Sequence, residues 1–328
     1  MKEVIMFKKT LLRASKFIAL GMAVAMVAIV PGVQASHWGL SGGVVTHDPT
    51  IIREGGSTWW SASTGRGIGM KYSTNNGRTW TDGLPIFAQP LSWWKQYAPR
   101  MANNDVWAPD LEYYRGRYYC FYSVSEFGKN NSAIGLVSCS SISRGDWRDD
   151  GVVVSSRAGR DNFNAIDPNL VVDAAGKPWL VYGSWFNGIH IVRLNQTTMK
   201  PAGAPVRIAA RSGGIEGPCI IYNNGYYYLF TSIGKCCNGV NSTYKIMYGR
   251  SRSVTGPYVD KNGRNLLNGG GTIMDSGNDR WRGPGGQDVY RNSSMGYVMA
   301  RHAYDAYNNG TPTLLISDLY FWNGWPTY

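Results

Sequence analysis

Between Ser36 and Tyr328 the apolar residues fall in short runs, rich in Val, Ile, Tyr and Trp, that alternate with turn-forming residues. Little of this stretch reads as a helix, and the pattern predicts an all-β chain. The plan is clearest after residue 110. Leu111 to Tyr114 reads as one strand, Arg115-Gly116 as a turn, and Tyr118 to Val124, Ser132 to Ser138 and Gly151 to Ser155 as three more. The order recurs in Leu170 to Val172, Trp179 to Gly183 and Ile189 to Leu194. It recurs again in Ile220 to Tyr222, Tyr226 to Thr231 and Lys245 to Gly249. Less regular copies surround Trp59-Trp60 and Gly296 to Arg301.

Each copy carries a proline-marked segment: His47-Asp48-Pro49, Trp107-Ala108-Pro109-Asp110, Ile166-Asp167-Pro168, Ile215-Glu216-Gly217-Pro218 and Arg282-Gly283-Pro284. The prolines are 60, 59, 50 and 66 residues apart, the long, loose period of a repeat architecture. Five units of four strands predict a five-bladed β-propeller of four-stranded blades. A β-sandwich would not explain units of this length with one internal order. The first strand of a propeller blade lies innermost, so the marked positions are expected to ring one mouth of a central channel. Asp48, Asp167 and Glu216 would then converge, although each alone could be an ordinary turn carboxylate.

The first residues follow another pattern. Lys8, Lys9, Arg13 and Lys16 precede an apolar stretch from Phe17 to Val30, then Pro31-Gly32 and Val33-Gln34-Ala35. This predicts a secretory signal peptide over 1–35, cleaved after Ala35. The stretch is shorter than the ~20 residues a membrane span needs. The expectation is an exported mature chain, 36–328, that is one propeller domain with no membrane segment. Losing five Lys/Arg and Glu3 lowers the formal charge from +12 to +8. The basic residues are scattered rather than gathered in a stripe, which argues against nucleic acid as a partner. A basic surface would suit an acidic polymer such as pectin, or serve solubility.

Charged residues are few (16%) and aromatics many (13%, with 13 Trp and 21 Tyr), which suits strands and also flat rings packed on sugars. Trp93-Trp94 is a candidate stacking platform. Of Cys120, Cys139, Cys219, Cys236 and Cys237, at least one must stay unpaired within the chain. Cys236 can bridge to Cys237, or one of them to Cys219. No Cys-x-x-Cys spacing suggests a metal, and His37, His47 and His190 show no ligand spacing, though His47 could line a cleft beside Asp48.

Hydrolysis of a glycoside needs two carboxyl groups in opposite protonation states. A third carboxylate nearby can raise the pKa of the acid. Three acids in an aromatic-rich cleft meet that demand, and no Ser-His-Asp or phosphate-cradling motif competes.

The ordered set of motifs resembles the family 43 glycoside hydrolases. It comprises His47-Asp48-Pro49, Val106-Trp107-Ala108-Pro109-Asp110, Asn164-Ala165-Ile166-Asp167-Pro168, Gly183-Ser184-Trp185-Phe186 and Ile215-Glu216-Gly217-Pro218, with the run Gly234 to Tyr244 and the ending Asn323-Gly324-Trp325-Pro326. Within the family the likeness is greatest to the endo-1,5-α-L-arabinanases, and it covers essentially all of the mature chain. The resemblance implies a five-bladed propeller that cleaves arabinan with inversion. Asp48 would be the general base, Glu216 the general acid, and Asp167 the residue that modulates and orients the acid. It further implies that Gly128, Asn164, Ala165, Ile166, Ser184, Trp185 and Phe186 line the sugar cleft. His302 would meet a channel cation, usually Ca2+, whose remaining ligands would be mostly water. The mature enzyme is expected to be an extracellular monomer without an organic cofactor. An exo-acting α-L-arabinofuranosidase or β-xylosidase on the same fold is an alternative. So is a non-catalytic sugar-binding propeller, which would not need the three acids.

Overall fold

The computed structural model describes residues 37–102, 104–292 and 296–328; the leader expected over 1–35 lies outside the described residues. Five antiparallel sheets follow one another along the chain. Blade 1 is built from Thr50–Glu54, Thr58–Ser63, Gly69–Ser73 and Thr79–Asp82. Blade 2 uses Asp105–Tyr114, Arg117–Ser125, Ser132–Cys139 and Arg148–Ser156; blade 3 uses Asn169–Val172, Pro178–Tyr182, Ile189–Arg193 and Val206–Ala209. Blade 4 comprises Glu216–Asn223, Tyr226–Ile233, Lys245–Ser251 and Thr272–Asp275, and blade 5 Trp281–Asn292, Gly296–Asp305, Thr311–Trp322 and Trp325–Thr327. Each first strand touches the first strand of the next blade, and the fifth touches the first, so the ring is closed. This is the five-bladed propeller that the repeats predict. Among the described residues no helix is long and apolar enough to cross a membrane.

The core is divided into five apolar clusters, one for each seam between neighbouring blades. Ile52 and Met70 meet Leu111 and Tyr122 between blades 1 and 2, and Phe121 and Leu136 meet Leu180 and Val192 between 2 and 3. Val181 and Ile191 meet Ile220 and Leu229 between 3 and 4, and Phe230 and Tyr248 meet Val289 and Met299 between 4 and 5. Strand alternation explains this arrangement. Successive side chains point to opposite faces, and a blade with a neighbour on both faces needs apolar residues on both.

The last seam is zipped by the N-terminal segment. Trp38 N–H donates to Ile316 O, Leu314 N–H to Val44 O and Thr46 N–H to Pro312 O in blade 5, while Ser41-Gly42 pairs in parallel with Thr79-Trp80 in blade 1. Trp38 lies edge-on to Trp59 beneath this segment.

The proline marks are places where the sheet ladder is interrupted. Pro109 and Pro218 lie inside their strands at register slips, because proline has no N–H to give the ladder. The residue before the proline takes a left-handed backbone: φ is 48° at Asp48, 44° at Ala108, 55° at Asp167 and 55° at Gly217. Blade 5 corrects the alignment read from sequence. Thr50, Asp110, Asn169 and Cys219, each just after its proline, pair with Ala62, Phe121, Val181 and Phe230. Their counterpart in blade 5 is Asp288, opposite Ala300, so Gly286-Gln287 and not Gly283-Pro284 occupies the marked place. Gly286 has the same φ of 55°. Gln287 stands where the other blades have proline, and this hid the register.

The residue after the mark ties the inner strands together. Thr50 Oγ1 accepts Leu111 N–H (3.1 Å), Asp110 Oδ2 accepts Leu170 N–H (2.7 Å), and Asn169 Oδ1 accepts Ile220 N–H (2.8 Å). Asp288 Oδ2 accepts Ile51 N–H (2.8 Å), and Cys219 holds the same place in blade 4, with its Sγ 3.9 Å from Asp288 Oδ1. Four side-chain-to-backbone bonds thus link the inner strands round the channel.

Candidate active site

One mouth of the channel opens into a cavity of about 1070 Å³ lined by Asp48, Asp167 and Glu216. Three acids more than 45 residues apart in sequence are brought together because each begins the inner strand of its own blade.

A second ring of hydrogen bonds aims them. Two residues beyond the partner of the ring position, the second strand of each blade presents Thr64, Ser123, Gly183, Ser232 or His302. Thr64 Oγ1 accepts Ala108 N–H (2.8 Å), Ser123 Oγ accepts Asp167 N–H (3.0 Å), Ser232 Oγ accepts Gly286 N–H (3.0 Å), and His302 Nδ1 accepts Asp48 N–H (3.1 Å). Blade 3 alone has a glycine there, and a side chain on Gly183 would collide with Gly188 O. The orphaned Gly217 N–H donates instead to Asp167 Oδ2 at 3.0 Å. The break in pseudo-symmetry therefore draws the Asp167 carboxylate to the residue that follows Glu216.

The three acids have different surroundings. Asp48 Oδ2 accepts from His47 Nδ1 (2.9 Å) and Thr64 Oγ1 (2.8 Å), and its Oδ1 lies 3.4 Å from His302 Nδ1. Burial by itself would raise the Asp48 pKa; the charge and hydrogen bond of His47, with help from His302 and Thr64, more than offset it and hold the carboxyl well below the usual range. Glu216 is pushed up by burial, against hydrogen bonds from Tyr244 Oη (2.6 Å) and Ser184 Oγ (2.8 Å), with the charge of Asp48 raising it further. Burial, and then the charges of Glu216 and Asp48, push Asp167 well above the carboxylate range. One carboxylate is kept ionised and two carboxyls hold protons more tightly, the division of roles that acid–base chemistry at neutral pH requires.

Of the residues expected to line the cleft, Gly128, Asn164, Ile166, Ser184, Trp185 and Phe186 do so. Ala165 does not. It is fully buried, with its N–H on Ser156 Oγ, while Asn164 and Ile166 on either side of it face the cavity. The Trp93-Trp94 platform is also absent from the cavity. Trp94 is fully buried against Phe87 and Tyr122, and Trp93 hydrogen-bonds Asp149. The Trp and Phe residues of the cleft wall are instead Trp107, Phe127, Trp185 and Phe186, and Phe127 and Phe186 expose more than half of their surface. Trp185 (φ 53°) and Phe186 (φ 39°) sit in a left-handed turn, and Gly214 leaves room for the Trp185 ring.

Cys236 and Cys237 are joined to each other at the cavity wall, while Cys219 is a buried free thiol. Cys237 N–H donates to Tyr304 Oη, which also bonds His47 Nε2 at 2.9 Å. Thr64, Tyr244, Gln287 and Tyr304 escaped sequence reasoning. None lies beside Asp48, Asp167 or Glu216 in the chain, and only the fold brings them there.

His302 is completely buried and stacked on His47, and its Nε2 has no hydrogen-bond partner in the protein. His47, Asp48 and His302 are the one group of possible ligand atoms gathered within 4.8 Å among the described residues. His47 and Asp48 already bond each other, which leaves His302 Nε2 as the open donor. If the ring accepts Asp48 N–H at Nδ1, its proton is on Nε2, which can then only donate, for example to water. If Nδ1 carries the proton, Nε2 is free for a cation. The residues fit a cation in the second tautomer.

A closed propeller with a trio of unlike carboxyl groups in an aromatic-walled cavity is the apparatus of a glycoside hydrolase. The model of the glycosyl hydrolases family 43 matches residues 43–326, and the chain belongs to that family. It is 50% identical to the extracellular endo-α-(1→5)-L-arabinanase 1 of Bacillus subtilis (strain 168), over 98% of this chain and 99% of that one. It is 38% identical to the extracellular exo-α-(1→5)-L-arabinofuranosidase ArbA of Cellvibrio japonicus (strain Ueda107), over 86% of each chain. Among solved structures, a GH43 endo-arabinanase from Bacillus licheniformis superposes with a TM-score of 0.85 at 55% identity, covering 89% of this chain and all of that one.

Proposed function

We propose that this enzyme hydrolyses internal α-1,5-L-arabinofuranosyl linkages of arabinan, with inversion. The observation that carries the reading is that Asp48 and Glu216 line one cavity with their pKa values pushed in opposite directions, and the half-identical Bacillus subtilis endo-arabinanase supports the substrate. Asp48, ionised and held at Oδ2 by His47 and Thr64, takes a proton from the attacking water at Oδ1. Glu216 protonates the leaving oxygen. The hydroxyls of Tyr244 and Ser184 then stabilise the carboxylate that Glu216 becomes. Asp167 anchors Gly217 N–H and so fixes where Glu216 points. Trp107, Phe127, Trp185 and Phe186 offer apolar faces to the furanose rings.

In the tautomer with its proton on Nδ1, which gives up the Asp48 N–H bond and faces Asp48 Oδ1 with that proton instead, His302 would hold a Ca2+ through Nε2, with water as its other ligands. Such a cation would supply positive charge that favours the ionised form of Asp48. Secretion through the 1–35 leader is consistent with a close relative named as extracellular, and the mature protein is taken to act as a monomer.

The test uses linear debranched arabinan. Glu216→Gln should lower kcat by at least about a thousandfold while substrate still binds, because the proton donor is lost and the cleft is not. Full activity in that variant would remove Glu216 from the mechanism. Early products of mixed length indicate endo action; a single small product would point to the exo alternative. NMR of the fresh product should show inverted anomeric configuration, and inversion requires a base–acid carboxyl separation of roughly 6.5–9.5 Å.

A further inference from the structure

A second hollow, of about 450 Å³, adjoins the cleft, and Phe186 lines both. It lies across the seam between blades 3 and 4, and three arginines line it: Arg207 at the outer strand of blade 3, Arg211 just after that strand, and Arg264 before the short helical turn Leu266–Asn268. Its wall contains no Asp or Glu. Among the described residues none of the three is ion-paired. Asp260 feels the charge of Arg264, but it is buried and its oxygens accept the backbone N–H groups of Asn262, Arg264 and Gly271.

Each guanidinium is steadied through neutral oxygens. Arg207 donates to Asn187 Oδ1, Arg211 to Gly269 O (3.1 Å), and Arg264 to Asn268 O through Nε and Nη2 (3.1 and 2.9 Å). A guanidinium has five N–H donors, so each keeps donors to spare. Three like charges in one concave place repel one another unless an anion joins them. All three are arginine, whose planar fork matches a carboxylate, rather than lysine.

A neutral arabinan chain gives these groups nothing to pair with. We propose that the hollow is an anion subsite for the carboxylates of a polyuronate chain to which the arabinan is attached, so that the enzyme engages its substrate on an acidic polysaccharide. This rests on the arabinan-cleaving reading and adds to it a second contact, outside the reacting bond. Phe186 is the bridge: a polymer leaving the cleft across its exposed ring meets the arginines next.

The test compares two substrates and two kinds of free anion. Replacing Arg207, Arg211 and Arg264 together with Gln should raise KM on uronate-bearing arabinan by about fivefold to twentyfold at low salt, as three solvent-exposed charge pairs would. Its kcat should hold, and KM on debranched neutral arabinan should stay within about twofold. The difference should shrink at about 0.5 M salt, where exposed charges are screened. Oligogalacturonate should bind the wild type, and inorganic phosphate should compete only weakly. The three single variants repeat the comparison if the triple variant unfolds.

Equal KM for wild type and variants on the acidic substrate would overturn the proposal. So would inorganic phosphate binding as tightly as oligogalacturonate, which would mark a site for small free anions. Failure of the wild type to cleave debranched arabinan would instead strike at the proposed activity, while oligogalacturonate titration would still read the subsite.

Discussion

Tyr244 and Gly286 decide how the acids work, and neither is an acid. Tyr244 Oη bonds Glu216 Oε1, and this bond favours the ionised form. Removing it in Tyr244→Phe should raise the Glu216 pKa further. A general acid acts while protonated, so activity is lost as pH rises through its pKa. The alkaline limb of kcat should therefore move to higher pH, by about one unit for a single lost hydrogen bond to the charged form. A pH–rate profile checks the sign; a shift to lower pH would contradict the assignment. Gly286 packs against Asp48, the proposed general base. A Cβ there would collide with Asp48 Oδ1 and come within 3.0 Å of His302 Nδ1, at a φ of 55° that side chains resist. Gly286→Ala should lower kcat by about a hundredfold or more, since misplacing a reacting group by an ångström costs that much. Its thermal midpoint should fall far less than its rate.

At the scale of elements, the inner strands are both scaffold and sighting device. Asn169 serves two blades at once: its Oδ1 accepts Ile220 N–H and its Nδ2 donates to Asp110 Oδ1 at 2.9 Å. Asn169→Leu strands both partners in a buried place. The expected destabilisation is about 1–3 kcal/mol for each group left unsatisfied, measurable by urea denaturation. Much at this scale was legible beforehand. The three Asp-Pro and Glu-Gly-Pro marks and the internal order of blades 2 to 4 are local signals, and the strands lie where those signals put them. The outer strands Val206–Ala209 and Thr272–Asp275 carried weaker apolar patterns, because an outer strand has less to bury. Blade 5 misled the alignment because the proline in its sequence is not at the equivalent place. Trp93-Trp94 misled in the opposite sense: a tryptophan pair reads alike whether it faces sugar or fills a seam, and burial is set by residues far away.

For the whole molecule, closure is the stability problem, since an open ring would expose two apolar blade faces. The segment 38–46 covers that seam, and Trp38 is its anchor. Its ring lies edge-on to Trp59, Arg78 stacks over it, and Nε1 donates to Asp318 Oδ1. Trp38→Ala should cost about 3–5 kcal/mol, as large-to-small changes at buried aromatics do. Calorimetry would record it as a lower midpoint, with kcat on arabinan unchanged at temperatures where the variant stays folded.

The sequence by itself determined the repeat, the strands, the three acids and the family, because each is written in local apolar alternation or in short motifs. Tertiary structure alone decided in which direction each carboxyl's pKa is pushed, that Asp167 fills the place Gly183 leaves open, that Ala165 is buried away from the cavity, and that arginines of two blades share one hollow. Those outcomes depend on distances across seams between residues tens to hundreds of positions apart, and neighbouring letters in a chain do not record such distances.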